Sequence, residues 1–203
     1  QSLALSSPSE PLRHTCELAA AGLLDRGDTA SAQPVCVCQY TSKDPAVGLL
    51  EATEAELRDA AVALADTSLG LYDRYKGLFT LRNAGGPIAM EALASSLLND
   101  KSSAVLRHEV AFVLGQMEVA ATVEPLEASL GRSEEHGMVR HEAAIALGSI
   151  GTSEAEAALR VYAKDADPLV SESCLVALET ARYWRAWEAL EARLAAEGKE
   201  DSK

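Results

Sequence analysis

The chain has 203 residues, 48% hydrophobic and 24% charged, an ordinary globular balance with enough apolar material for a buried core. Its formal net charge of -13 argues against nucleic acid, because binding a phosphate backbone depends on Lys and Arg displacing counterions. No apolar run is long enough to cross a bilayer, and the scarcity of aromatics (4%) beside abundant Ala, Leu and Val favours packed helices over a sandwich or barrel. An acidic surface of this kind suits a basic partner.

Residues 1–10 are polar and rich in Ser and Pro, and read as a weakly ordered lead-in. They lack an initial Met, a charged n-region and an apolar h-region, so the expectation is a cytoplasmic protein and a fragment of a longer polypeptide. A short helix is expected at Leu12–Leu24, which makes residues 1–24 a lead-in plus the last helix of a missing N-terminal repeat array. Residues 25–47, "DRGDTASAQPVCVCQYTSKDPAV", have no helical period and read as a linker. Cys36 and Cys38 stand there without a second Cys or His pair at zinc-finger spacing, so these two, Cys16 and Cys174 are read as free thiols. The remaining span, 48–203, is read as one C-terminal repeat domain.

Within that span "LYDRYKGLFTLRNAG", "AVLRHEVAFVLGQM", "GMVRHEAAIALGSIG" and "PLVSESCLVALETA" align, with Leu81, Leu114, Leu147 and Leu178 in one column at spacings of 33, 33 and 31. Arg74, Arg107 and Arg140 form another column, with Ser171 in the last copy. Between the copies lie second amphipathic stretches: "PIAMEALASSLLND", "TVEPLEASLGR" and "EAEAALRVYAKD". A two-helix unit of this length predicts an all-α, HEAT-like α-solenoid of stacked helical hairpins, each burying its apolar face only against its neighbours. Leu106, Val110, Val113, Leu114 and Met117, and their counterparts Val139, Ala143, Ala146, Leu147 and Ile150, are the predicted core stripe. Gly85-Gly86 and Gly151 fall where left-handed caps would stop the helices. "WRAWEALEARLAAEGKED" reads as a separate final helix that closes the stack.

The two central copies each carry an Arg-His-Glu run, and two of only four histidines, His108 and His141, fall in register. At ~100° per residue His108 lies about 200° around the helix from Leu106, nearly opposite the buried stripe. His141 stands in the same relation to Val139. One reading is a solvated ridge in which Glu109 and Glu142 accompany Arg107 and Arg140. The other is a metal site, since two imidazoles and a carboxylate from neighbouring repeats make the set that holds Fe(II) with open positions, and also suits Zn, Mn or Co. Neither run continues to H-E-x-x-H, because Phe112 and Ile145 stand where the second His would be, and no G-x-S-x-G or phosphate loop is present. Tyr75-Lys76 and Glu172-Ser173 occupy the His-Glu positions of the flanking copies, with Tyr75 and Glu172 expected at the rim.

"RYKGLFTLRNAGG", "LRHEVAFVLGQM", "MVRHEAAIALGSIG" and "SESCLVALE" resemble the C-terminal half of the deoxyhypusine hydroxylase family over roughly residues 44–182. The resemblance implies an iron-dependent monooxygenase of two opposed HEAT-repeat halves, each giving two His-Glu pairs to a di-iron centre. Its substrate is the deoxyhypusine side chain of a translation factor, which it converts to hypusine in the cytoplasm. Carried over by residue, His108, His141 and Glu142 would ligate iron, and Glu109, a further candidate ligand, would be the catalytic carboxylate turned toward the substrate amine.

The departure from the family is numerical: two His-Glu pairs instead of four. His14 falls in the ligand column with Thr15 in place of Glu and is not counted as a ligand, and His136 is placed on a loop. The chain is therefore expected to carry half a centre and to be inactive alone, needing the missing N-terminal half or a second copy. The alternative function is a metal-free HEAT-repeat scaffold for protein-protein interaction.

Overall fold

The structure, a computed structural model, describes residues 9–25, 40 and 42–200, with side chains described as far as residue 195. All regular structure among them is helical: α1 (Glu10–Asp25), α2 (Glu54–Ala65), α3 (Leu71–Ala84), α4 (Gly86–Asn99), α5 (Ala104–Met117), a 3-10 turn (Ala120–Thr122), α6 (Val123–Leu130), α7 (Gly137–Ile150), α8 (Ser153–Tyr162) and α9 (Pro168–Glu200). The start of the lead-in and most of the linker, Cys36 and Cys38 included, lie outside the described residues. The chain forms two compact units, Gln1–Met117 and Glu118–Lys203, so a boundary falls inside the span 48–203.

In the first unit α2 packs on α3 and α4, and α3, α4 and α5 pack on one another. Helix α2 begins at a reciprocal capping box: Glu56 N–H donates to Thr53 Oγ1 at 3.3 Å, and Thr53 N–H donates to a Glu56 carboxylate oxygen at 2.8 Å. Leu64, Leu78, Leu81, Leu93, Leu97, Leu106 and Leu114 are fully enclosed, and of the predicted stripe Leu106, Val110, Val113 and Leu114 are core while Met117 is half-buried. The boundary expected at Gly48 is earlier. Asp44 makes a two-pronged ion pair with the completely buried Arg82 (Nη1 to Oδ1 2.9 Å, Nη2 to Oδ2 2.6 Å), and Ala46 is in the core. Tyr40 and Phe79 lie on the guanidinium at 4.7 and 4.8 Å, so the end of the linker is fastened to α3 by charge and by ring faces.

In the second unit α7 packs on α6, α8 and α9, and α8 packs on α6 and α9. Arg140 performs here what Arg74 performs in the first unit. Arg74 Nε donates to the Leu64 carbonyl at 2.9 Å and its guanidinium pairs with Asp100; Arg140 Nε donates to the Leu130 carbonyl at 2.7 Å and its guanidinium pairs with Asp165. Each arginine thus ties the helix before it to the turn that ends the following hairpin helix. Burial alone would raise the Asp100 carboxyl, but Arg74 and the backbone donors of Ser102 and Ser103 hold it below the usual range.

The residue four past the leucine column decides where each repeat ends. Gly151 is left-handed (φ 64, ψ 14), and Gly85 also has positive φ but ψ of -159, a different turn from the expected left-handed cap. Glu118 stands in the same column with φ 52, where an L-residue meets its own carbonyl. Glu118→Gly is expected to stabilise the fold by about 1 kcal/mol, read as a rise in Tm of roughly 2–4 °C. The fourth member is Arg182, which supplies no stop. Consequently α9 runs unbroken for 33 residues, in place of a last repeat helix followed by a separate capping helix. Ala181 is the last buried residue among those described and positions 182–195 are all exposed, although Arg185 reaches back to pair with the buried carboxylate of Glu156 on α8.

Candidate functional site: the two Arg-His-Glu helices

The motif residues divide their work along each helix. Arg140 of α7 is a buried tie, whereas Arg107 of α5 is half-buried and donates to the Asp100 carbonyl at 3.2 Å; the leucines of the repeat column, Leu114 and Leu147, are core. The glycine after Leu147 serves close approach: a Cβ on Gly148 would lie 2.7 Å from Ala177 Cβ and 2.8 Å from its backbone, so α7 and α9 touch there. Gly148→Ala must push α9 outward and is expected to cost about 1–3 kcal/mol, measured by chemical denaturation.

His108 and Glu109 lie on α5 in the first unit, and His141 and Glu142 on α7 in the second. Both histidines and Glu109 are half-buried, and Glu142 is buried at 8% exposure, so the pairs do not form a solvated ridge. Within neither unit do three or more described His, Cys, Asp or Glu side chains cluster as a metal cage.

The surroundings of His141 are specific. Its Nδ1 lies 2.6 Å from Ser173 Oγ on α9, and that hydroxyl donates at 2.5 Å to the carbonyl of Leu169. Tyr75, expected at the rim, is instead 1% exposed, and its phenol donates to the Val105 carbonyl at 3.1 Å. Burial, and then the carboxylate of Glu109, push its pKa well up, so it stays a neutral donor. The side chain in the His column of one repeat therefore faces the Glu column of the next in both units: Tyr75 toward Glu109, and His141 toward Ser173. Ser173 escaped sequence reasoning, which took Glu172-Ser173 for an empty copy of the motif. The stacking register was the signal that could have found it.

The other two histidines sit at the N-termini of the same two helices. His136 is the N-cap of α7, its Nδ1 accepting from Met138 N–H at 3.2 Å. His14 Nδ1 lies 2.7 Å from Glu10 Oε1 and 2.9 Å from Ser103 Oγ. Glu10 in turn accepts from the Ala104 N–H, the first of α5. A carboxylate at that end is favoured by the helix dipole. Both rings hold helix ends. Cys174 is fully buried; burial and the charge of Asp165 push its thiol up to about 11, which leaves it a core residue.

A family model described as HEAT repeats matches residues 90–179 and 132–201. The chain is 41% identical over 192 residues to deoxyhypusine hydroxylase-B of Oryza sativa subsp. japonica, covering 94% of this chain and 62% of that protein. It is 41% identical over 178 residues to deoxyhypusine hydroxylase of Mus musculus, covering 88% of this chain and 57% of the relative. The solved structure of human deoxyhypusine hydroxylase in complex with glycerol matches with a TM-score of 0.77 at 40% identity, over 90% of this chain and 61% of that one. The chain thus spans about three fifths of the length of these relatives.

Proposed function

This chain belongs to the HEAT-repeat family and is a relative of the deoxyhypusine hydroxylases, and on that premise we propose that it is the C-terminal half of an iron-dependent deoxyhypusine monooxygenase. Its substrate would be the deoxyhypusine residue of a translation factor, and its product hypusine. The two described units carry one Arg-His-Glu helix each, and the remainder of the protein would carry the pairs that complete a di-iron centre.

His108, His141 and Glu142 would hold iron. The donor chemistry fits: imidazole and carboxylate together suit ferrous iron, and His141 has one ring nitrogen committed to Ser173 and the other left for a ligand bond. When bound, iron supplies the activation of dioxygen that hydroxylation of a C–H bond requires. Glu109 would hold the protonated amine of the substrate. Its partly buried carboxylate makes a charge-assisted hydrogen bond stronger there than in water. Tyr75, with its proton committed to Val105, stays uncharged beside it and does not add a second anion. The net charge of -13 would draw a basic target toward the site and speed its arrival.

The observation that carries this reading is the anchored, half-buried His141. Hydroxylation of a deoxyhypusine-bearing translation factor tests it, comparing this chain alone with protein extended to its relatives' length. Activity is expected in the extended protein and not in the chain alone. Lack of activity in the extended protein, with partner binding indifferent to loss of both motif histidines, would favour a metal-free scaffold.

A further inference from the structure

A serine hydroxyl has one proton to give. Ser173 Oγ lies 2.5 Å from the carbonyl oxygen of Leu169, one turn earlier on α9, and two oxygens at that separation require a proton between them. The proton of Ser173 is therefore committed to Leu169. The contact of 2.6 Å between Ser173 Oγ and His141 Nδ1 must then run the other way, with Nδ1–H donating to the hydroxyl. A neutral imidazole with its proton on Nδ1 carries its lone pair on Nε2.

We infer that Ser173 is a positioning residue that fixes His141 in the Nδ1–H tautomer and leaves Nε2 as the nitrogen available to a metal. The second half of this statement rests on the function proposed above; the first does not. Several features make the arrangement rigid. Ser173 is 5% exposed, and its neighbours Val170, Cys174 and Ala177 are core residues. The close approach at Gly148 and Ala177 sets α9 against α7 one turn further along. Ser173 therefore cannot turn away without moving α9, and His141 loses rotamer freedom on the apo protein before any metal arrives. This is how a partner behind a ligand improves it: the ring is oriented and its tautomer chosen in advance.

The test uses protein of the relatives' full length with ¹⁵N-labelled histidine. Long-range ¹H–¹⁵N spectra of the metal-free form are expected to show His141 protonated at Nδ1 and unprotonated at Nε2. In Ser173→Ala the two tautomers should mix, and in Ser173→Thr, which keeps the hydroxyl, the single form should return. Anaerobic Fe(II) titration should follow the same order, with affinity lowered about 10–100-fold in Ser173→Ala and recovered in Ser173→Thr. A merely structural serine would lower Tm without moving the tautomer. A wild-type His141 protonated at Nε2, or a Ser173→Ala spectrum unchanged from wild type, would overturn the proposal. Iron affinity unaffected by His141→Ala would overturn its ligand half and the functional reading with it, whereas a Ser173 failure leaves that reading standing.

Discussion

Replacing His141 by Ala in protein of the relatives' full length is expected to lower deoxyhypusine hydroxylation by at least about 100-fold, since changes behind a metal ligand already cost about 10–100-fold. The fold should survive. The ring is half-buried, and its removal leaves Ser173 still bonded to the Leu169 carbonyl, so the stability loss is on the order of 1 kcal/mol. A turnover assay run beside thermal unfolding separates the two effects. Activity falling in step with Tm would assign His141 to the stack, and activity lost at nearly constant Tm assigns it to the chemistry.

The largest effect on stability is expected at Asp44. Arg82 is completely buried and Asp44 carries its charge partner at 10% exposure, so Asp44→Ala strands a guanidinium among Phe79, Tyr40 and the helix interior. Removing one member of a buried ion pair costs about 3–5 kcal/mol. Part of this would be softened by Ser42 and the Gln116 side chain, which also accept from Arg82 at 3.2 and 3.1 Å. Urea unfolding should show the loss in the first unit. Replacing both partners by apolar residues, Asp44→Leu with Arg82→Met, should recover much of it, because the desolvation cost disappears with the charge. A double variant as weak as Asp44→Ala alone would mean that packing of the linker end, and not the charge, holds it.

Repetition made most of the architecture legible. Four leucines align at intervals of 33, 33 and 31, and the structure encloses Leu81, Leu114 and Leu147 completely, while Leu178, in the last copy, is half-buried. Departures from the repeat were harder to read. Helix α2 lies upstream of the aligned copies, although the pairing of Thr53 with Glu56 is a local start signal. The length of α9 follows from a single missing stop at Arg182. Arg82 stands in the column that elsewhere holds Gly115 and Gly148, and nothing local discloses that its partner lies 38 positions away at Asp44.

The candidate site was legible as residue types and less so as surroundings. Angular placement around an isolated helix set His141 opposite the apolar stripe, which is true of the helix and incomplete for the stack. A neighbouring helix covers that flank as well, which is why His141 meets Ser173 and why Tyr75 is buried near Glu109. Helical periodicity describes one helix; the contacts that tune a side chain come from the next one.

Iron content measures whether the histidines of the two Arg-His-Glu helices are iron ligands. Protein of the relatives' full length, loaded with Fe(II) without oxygen and freed of excess metal, is expected to retain iron that His108→Ala and His141→Ala each release. Iron absent from the wild type, or retained equally by wild type and both variants, would mean that these histidines do not hold iron.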